Sequence, residues 1–314
     1  MLVLIQTVIY SQPLQWLASP FIAHGHSSYF ASVVRIIHPI KSSPNLILSA
    51  EITGGTLVAV LPLHTSSLLF LIGGGRSPRY PPNKVILWDD AIGREVAELE
   101  FRERVRGFAC RRGWLAVSLR RRVVVFEIKE QVTRFREWET CDNPKGKYTK
   151  TNIFRSFVPD PDFRLSIIIG LLAMATGTYS TLLAIPGRQM GHVQLIHLPP
   201  CRPPAPTSPP SSSLPRKPPP PPTKHPVSII AAHTTALTVL STPPSGKLLA
   251  TTSSRGTLVR IWDPLTGKLV RELRRGTDKA EIYGVAFRPD EKELCVWSDK
   301  GTIHVFSLAN SGPV

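Results

Sequence analysis

Two arginines stand side by side near the C-terminal end, Arg274 and Arg275, in ELRRGTDKAEIY (Glu272 to Tyr283), just ahead of a glycine. Each guanidinium is a permanently charged fork of donors that matches the oxygens of a phosphate or carboxylate. A short way upstream, TTSSRGT (Thr251 to Thr257) crowds hydroxyls around Gly256, and Arg260 follows. Arginine for charge and Ser or Thr for short-range hydrogen bonds suit the capture of a multiply charged oxyanion. No nucleophile–base pair and no metal-spaced cluster stands out, so the chain reads as a binding protein and not an enzyme, with no catalytic residue, metal or cofactor. The four cysteines, Cys110, Cys141, Cys201 and Cys295, are scattered without a CxxC pair and read as reduced cytosolic thiols.

What the arginines can do depends on the element that carries them. In a helix they would extend a charged face. In a strand successive side chains point to opposite sides, so one ligand could not easily use both. The surrounding sequence selects the strand. WDDAIGREVAEL (Trp88 to Leu99) aligns without a gap on WDPLTGKLVREL (Trp262 to Leu273). Each follows a β-branched run and reads as a strand ending in Trp-Asp, a tight turn through Gly93 or Gly267, and a second strand. That repeat is the sequence mark of a WD40 propeller blade. WLAVSLRRRVVVFEI (Trp114 to Ile128), KLLATTSSRGTLVRIW (Lys247 to Trp262) and ELCVWSDKGTIHVFSL (Glu293 to Leu308) follow the same strand–turn–strand grammar, and little of the chain has helical periodicity. The fold class is all-β, a WD40-type β-propeller.

The 314 residues bury a sizeable core, and 42% hydrophobic content marks a globular chain. A net charge of +16 favours an anionic partner: nucleic acid, an acidic protein or a phospholipid surface. No basic strand or helix interleaved with aromatics supports nucleic acid. The start, MLVLIQTVIYSQPLQWLASP, lacks a basic n-region and is broken by Gln6, Gln12 and Pro13, which argues against a signal peptide. The most apolar internal run, Leu165 to Ala175, falls short of the roughly 20 residues that span a bilayer. Any membrane is therefore met peripherally, from the cytosolic side. Along the chain, residues 1–50 form an atypical N-terminal segment and 51–198 propeller blades with an irregular insert near 148–173. Residues 199–226 are a proline-rich disordered loop, 227–308 further blades carrying LRRG, and 309–314 a tail.

LIGGGRSPRYPPNKVILWDD (Leu71 to Asp90) and LRRG (Leu273 to Gly276), with NPKG (Asn143 to Gly146), AIPGRQMGHVQL (Ala184 to Leu195), AAH (Ala231 to His233) and SDKGTIHVFSL, resemble the PROPPIN family, and most nearly its smaller, more widespread subgroup. These are the WIPI and SVP-like seven-bladed propellers of autophagy and endolysosomal membranes. The resemblance implies a non-enzymatic protein that binds phosphatidylinositol 3-phosphate and 3,5-bisphosphate. It further implies a cytoplasmic protein, peripheral on vacuolar, endosomal or preautophagosomal membranes, with autophagy or trafficking proteins as partners. Two shallow basic pockets would flank the arginine pair. The first would use His233, Thr251, Ser253, Gly256, Thr257, Arg260 and Arg274; the second, Arg275, Gly276, Ser298, Thr302 and His304. Gly256 and Gly276 would let phosphate approach the backbone. A pocket histidine would tighten binding at mildly acidic pH. The competing reading is a WD40 scaffold that binds proteins alone.

Structural readings stand beside these. Ser and Thr suit β-turns and strand edges, and His233 and His304 could be blade histidines bonded to the sheet. FRERVRGFACRR (Phe101 to Arg112) and RRRVVVF (Arg120 to Phe126) read as solvated turns that can touch anionic headgroups. The sequence also departs from the family pattern. Met1 to Glu51 has no recognisable first blade, and Val314 follows directly on GTIHVFSL, which leaves the propeller incomplete at both ends. Leu273 replaces a Phe, and Trp297, bulkier than the small residue expected beside Ser298, would crowd the second pocket.

Overall fold

The computed structural model describes residues 9–10, 31–37, 47–53, 57–63, 66–74, 77–142, 148–150, 166–168, 171–177, 179–199 and 228–308. Every regular element among them is a β-strand. In chain order these are β1 (Ile9–Tyr10), β2 (Ala31–Ile37), β3 (Ile47–Thr53), β4 (Leu57–Pro62), β5 (Leu68–Gly73), β6 (Lys84–Asp89), β7 (Arg94–Glu100) and β8 (Gly107–Arg111). Next come β9 (Trp114–Ser118), β10 (Arg122–Ile128), β11 (Val132–Glu139), β12 (Tyr148–Lys150), β13 (Ser166–Ile168), β14 (Ala173–Met174), β15 (Leu182–Pro186) and β16 (His192–His197). The series ends with β17 (Ile229–Ala231), β18 (Leu237–Ser241), β19 (Leu249–Ser253), β20 (Leu258–Trp262), β21 (Leu269–Arg274), β22 (Ile282–Phe287), β23 (Glu293–Ser298) and β24 (Ile303–Ser307).

Four sheets have four strands each, β4 to β7, β8 to β11, β14 to β17 and β18 to β21, and the strands of each lie side by side in chain order. Strands β22 to β24 add a three-stranded sheet of the same kind. Within residues 1–53, where no blade is legible, β1 to β3 form a three-stranded sheet, and in the expected insert β12 pairs with β13. The proline-rich run from residue 200 and Asn143 to Gly146 lie outside the described residues. The chain divides into two compact units. One holds the described residues within Met1–Cys110, Val117–Arg120 and Pro144–Gly170, the other those within Arg111–Ala116, Arg121–Asn143 and Leu171–Val314.

Burial grades across each four-stranded sheet. The second strands, β9, β15 and β19, are buried at every position, and β5 at all but its first. The last strands, β7, β11 and β21, are mostly exposed. This explains why LLFLIG and LLAIP read as continuous apolar runs: both faces are covered. Strand β19 is the exception in composition, because LATTS carries three hydroxyls into an equally buried position.

The aligned repeats fold alike. Asp89 accepts a hydrogen bond from the Ala91 amide at 3.0 Å, and Asp263 one from the Leu265 amide at 2.9 Å. Gly93 and Gly267 then take φ of 64° and 68°, the left-handed turn that glycine enters without penalty. Directly afterwards the register slips by one residue, leaving Val96 and Val270 as unpaired bulge residues. Phe135 occupies the same place opposite Phe126 and Val125. Each is an exposed apolar side chain turned outward by the bulge.

In the second unit, Val239, Ala250, Val259 and Ile261 pack with Ile282, Val285, Leu294 and Val296 in a single core, and Leu273 and Phe306 lean on its margin. This core joins the β18–β21 sheet to the β22–β24 sheet and fixes the loops between them.

Candidate functional site

Leu273 turns toward the core shared with β22–β24, so its neighbour Arg274 faces the other side of β21. Arg274 pairs through its backbone with Leu258 at the end of the ladder. Its side chain is exposed and makes no hydrogen bond or ion pair among the described residues. Arg275 is different. It is half-buried, donating from Nε to the Gly256 carbonyl and from Nη2 to the Asp278 carbonyl, each at 2.6 Å. Its amide also bonds the Thr257 carbonyl at 2.9 Å. The opposed directions expected of a strand are present, and the two side chains also differ in occupation: one free, one bracing a loop.

On the Arg274 face, Arg260 lies between Glu272 and the His233 turn. Its Nε donates to Glu272 at 2.7 Å and its Nη1 to the Ala232 carbonyl at 2.7 Å. Glu272 pairs with Arg260 across the ladder, and Arg274 follows two residues on, so the three share a face.

Thr251 and His233 have an internal occupation. Thr251 is fully buried, and its hydroxyl lies 2.9 Å from His233 Nε2 and 3.0 Å from Trp262 Nε1, whose N–H it accepts. The hydroxyl thus bridges a tryptophan of β20 and a histidine beyond β17. Desolvation, and then the Arg260 charge, push the His233 pKa down to about 4. The imidazole therefore stays neutral at mildly acidic pH, and the tightening expected from a pocket histidine is not available from His233. Thr252 is also fully buried, its hydroxyl 2.9 Å from that of Thr238. TTSSRGT is thus a buried strand end followed by a turn, and Ser254 and Arg255 are the exposed tip. Ser253 is 6% exposed, and its carbonyl accepts the Gly256 amide at 2.9 Å.

Gly256 has φ of 65°, and a Cβ there would fall 1.9 Å from the Ala280 carbonyl oxygen. Close approach of its own backbone, not of a phosphate, demands this glycine. Gly276 has open space around it. Thr257 is half-buried beside the Arg255 turn.

Among the residues expected to join Arg275 in the second pocket, the buried Ser298 accepts the Lys300 amide through Oγ at 3.4 Å. The Thr302 hydroxyl lies 3.2 Å from His304 Nε2, and the His304 ring lies nearly parallel to Phe306, centroids 6.2 Å apart. Asp299 Oδ1 accepts the Glu281 amide at 2.9 Å, and the Asp299 amide bonds the Glu281 carbonyl at 3.0 Å. Trp297 does not crowd Ser298. It lies against Gly284, where a Cβ would come 1.9 Å from the ring, on the opposite face of β23.

Sequence reasoning missed one buried cation. Arg111, expected in a solvated turn, is 2% exposed and donates to the carbonyls of Ser180, Leu198 and, at 2.7 Å, Pro199. Its partners are remote in sequence, and no local signal marks them. Among the described residues no group of three or more His, Cys, Asp or Glu side chains could hold a metal ion, and no helix is long and apolar enough to cross a membrane. The Cys110 thiol is pushed up to about 12 by burial, which keeps it protonated.

Up-and-down four-stranded antiparallel sheets with buried second strands and exposed last strands, built on Trp-Asp repeats, define a β-propeller. The solved structure of Hsv2 from Kluyvelomyces marxianus is similar to this chain with a TM-score of 0.61 at 21% identity, over 89% of this chain and 70% of that one. Residues 223–313, which contain both arginines, match the PROPPIN family model. SVP1-like protein 2 of Emericella nidulans is 34% identical over 78% of this chain and 61% of its own length. Autophagy-related protein 18e of Arabidopsis thaliana is 30% identical over 79% of this chain and 51% of its own. The chain belongs to the PROPPIN family, and it spans about three fifths of the length of the first of these relatives.

Proposed function

We propose that the chain is a peripheral membrane protein that binds phosphatidylinositol 3-phosphate and 3,5-bisphosphate on the cytoplasmic face of vacuolar, endosomal or preautophagosomal membranes. It acts there in autophagy and vacuolar trafficking by recruiting other proteins. The observation that carries this reading is Arg274, an exposed guanidinium with no partner among the described residues, set beside the Arg255 turn in a family-matched segment. An unpaired arginine fork at a strand end is ready to take a phosphate bidentately. Thr257 and the backbone around Gly256 supply hydrogen bonds near it, while Thr251, His233 and Arg260 hold the frame. On the other side, Arg275, Gly276, Ser298, Thr302 and His304 form the second expected pocket.

The alternative is a scaffold that binds proteins alone. A solved relative of 16% identity and TM-score 0.55 is a complex of KlAtg21 with the coiled coil of AgAtg16, which favours protein partners in either reading. Sedimentation with vesicles of phosphatidylcholine containing phosphatidylinositol 3-phosphate separates the two. The lipid reading expects the wild type to co-sediment and the Arg274→Thr, Arg275→Thr variant to stay in the supernatant. Equal behaviour of both proteins, with an unchanged protein partner, would support the scaffold.

A further inference from the structure

We propose that the cleft between β11 and β16 is a docking groove for the proline-rich, basic segment that this same chain carries between β16 and β17. The cleft has a volume of about 770 Å³ and lies within one compact unit. Glu137, Trp138 and Glu139 of β11 form one wall, and the turn from Gly187 to Gln189, with Gln194 and Ile229, forms the other. The two walls are tied together where the Cys141 amide donates to the Gly187 carbonyl at 2.7 Å. Apolar surface and idle hydrogen-bonding groups meet there. Trp138 is half-buried and Ile229 is 58% exposed. The Trp138 indole N–H and the side-chain amides of Gln189 and Gln194 have no hydrogen-bond partner among the described residues. An aromatic ring beside unpaired side-chain donors suits a polyproline II segment, whose carbonyls have no internal partners.

Residues 200–227 leave β16 and return into β17, and Gln194 and Ile229, cross-strand partners on those two strands, both line the cleft. The segment is therefore tethered at both ends to one wall of the groove, which sets its local concentration on the order of millimolar. Thirteen of its 28 residues are proline, five of them consecutive from Pro218 to Pro222, and proline rings favour the polyproline II form in such a run. Arg202, Arg216, Lys217 and Lys224 make it basic, with no Asp or Glu among the 28. The cleft complements that charge. Glu137 is already held by Arg122 and Arg134, but Glu139 has Arg188 at 3.2 Å, an ion pair with both side chains at least 70% exposed. Exchanging Arg188 for a lysine or arginine of the segment costs little, because exposed pairs contribute little. Covering Trp138 and Ile229 with proline rings then favours the docked state. Docking also withholds the prolines from the aromatic grooves of other proteins.

Trypsin reads the docking on the full chain, because cleavage after Arg216 and Lys224 tracks the fraction of time the segment is out of the groove. Trp138→Ala should speed cleavage at these two sites by about tenfold, the loss of one anchoring contact. Glu139→Gln, an exposed change, should speed it by about threefold. Should Trp138→Ala loosen the whole fold, cutting outside the segment would rise as well, and Glu139→Gln then decides. A second readout is the fluorescence anisotropy of a labelled peptide of residues 214–226. The peptide should bind the full chain with residues 200–227 replaced by a Gly-Ser linker, and bind wild type at least about tenfold more weakly, because the tethered segment competes. Unchanged cleavage in both variants would overturn the proposal, as would a peptide that does not bind the linker chain. Equal peptide binding by wild type and linker chain would also overturn it, and would make the cleft a receptor for the proline-rich segment of another protein.

Discussion

Arg275 reaches back across the turn to the carbonyl of Gly256, donating from Nε over 2.6 Å, while Arg274 beside it points away unpaired. Substituting them should therefore give opposite phenotypes. Arg275→Ala removes two charge-assisted bonds, at Gly256 and Asp278, and should lower unfolding stability by about 1–3 kcal/mol, toward the smaller figure because the group is only half-buried. Arg274→Ala should stay within about 0.5 kcal/mol of wild type, as for an exposed residue without contacts. Denaturant unfolding of the two single variants measures the contrast.

The glycines separate in the same way. Gly256→Ala puts a Cβ at 1.9 Å from the Ala280 oxygen in a backbone with φ of 65°. It should cost more than about 2 kcal/mol. Gly276→Ala meets nothing within 4 Å and should be nearly neutral in stability. Thermal melting of both variants checks this, and equal melting temperatures would contradict the turn geometry.

Thr251→Val would leave Trp262 Nε1 and His233 Nε2 buried without their shared partner. The expected loss is about 2–3 kcal/mol, against less than about 1 kcal/mol for Thr251→Ser, which keeps the hydroxyl. The first aligned repeat provides a natural contrast. Leu71 stands where Thr251 does, two residues on from the position opposite the tryptophan, and Trp88 Nε1 is buried without a hydrogen-bond partner.

The His233 pKa, pushed down to about 4 by burial and Arg260, gives a signed pH dependence. Between the ordinary value of 6.5 and about 4 the unfolded chain binds a proton that the folded chain refuses. Stability from this group is thus complete above about pH 6.5 and is lost as pH falls toward 4, by at most about 1.4 kcal/mol per unit. Replacing it, in His233→Gln, should flatten that part of the stability profile. An unchanged slope would contradict the assignment.

Much of this architecture is legible in the sequence because it is local. The Trp-Asp turns need an Asp and a left-handed Gly at fixed offsets, and Asp263 with Gly267 supplies them four residues apart. The opposition of Arg274 and Arg275 follows from the two-residue period of a strand. The roles of Thr251 and Arg111 were not legible, for one reason. Thr251 is hydroxylic on a strand covered on both faces, so composition suggests a turn where packing demands a core position. Arg111 is satisfied by carbonyls of Ser180, Leu198 and Pro199, which only the fold brings near. Asp299 and Glu281 likewise become partners of each other only through the pairing of β22 with β23.

The central claim, that Arg274 is the lipid-reading residue, is tested most directly by sedimentation of Arg274→Thr with vesicles containing phosphatidylinositol 3-phosphate. The single variant should lose vesicle binding while melting within a degree or two of wild type, about the shift of a neutral surface change. Full co-sedimentation of a folded Arg274→Thr protein would contradict it.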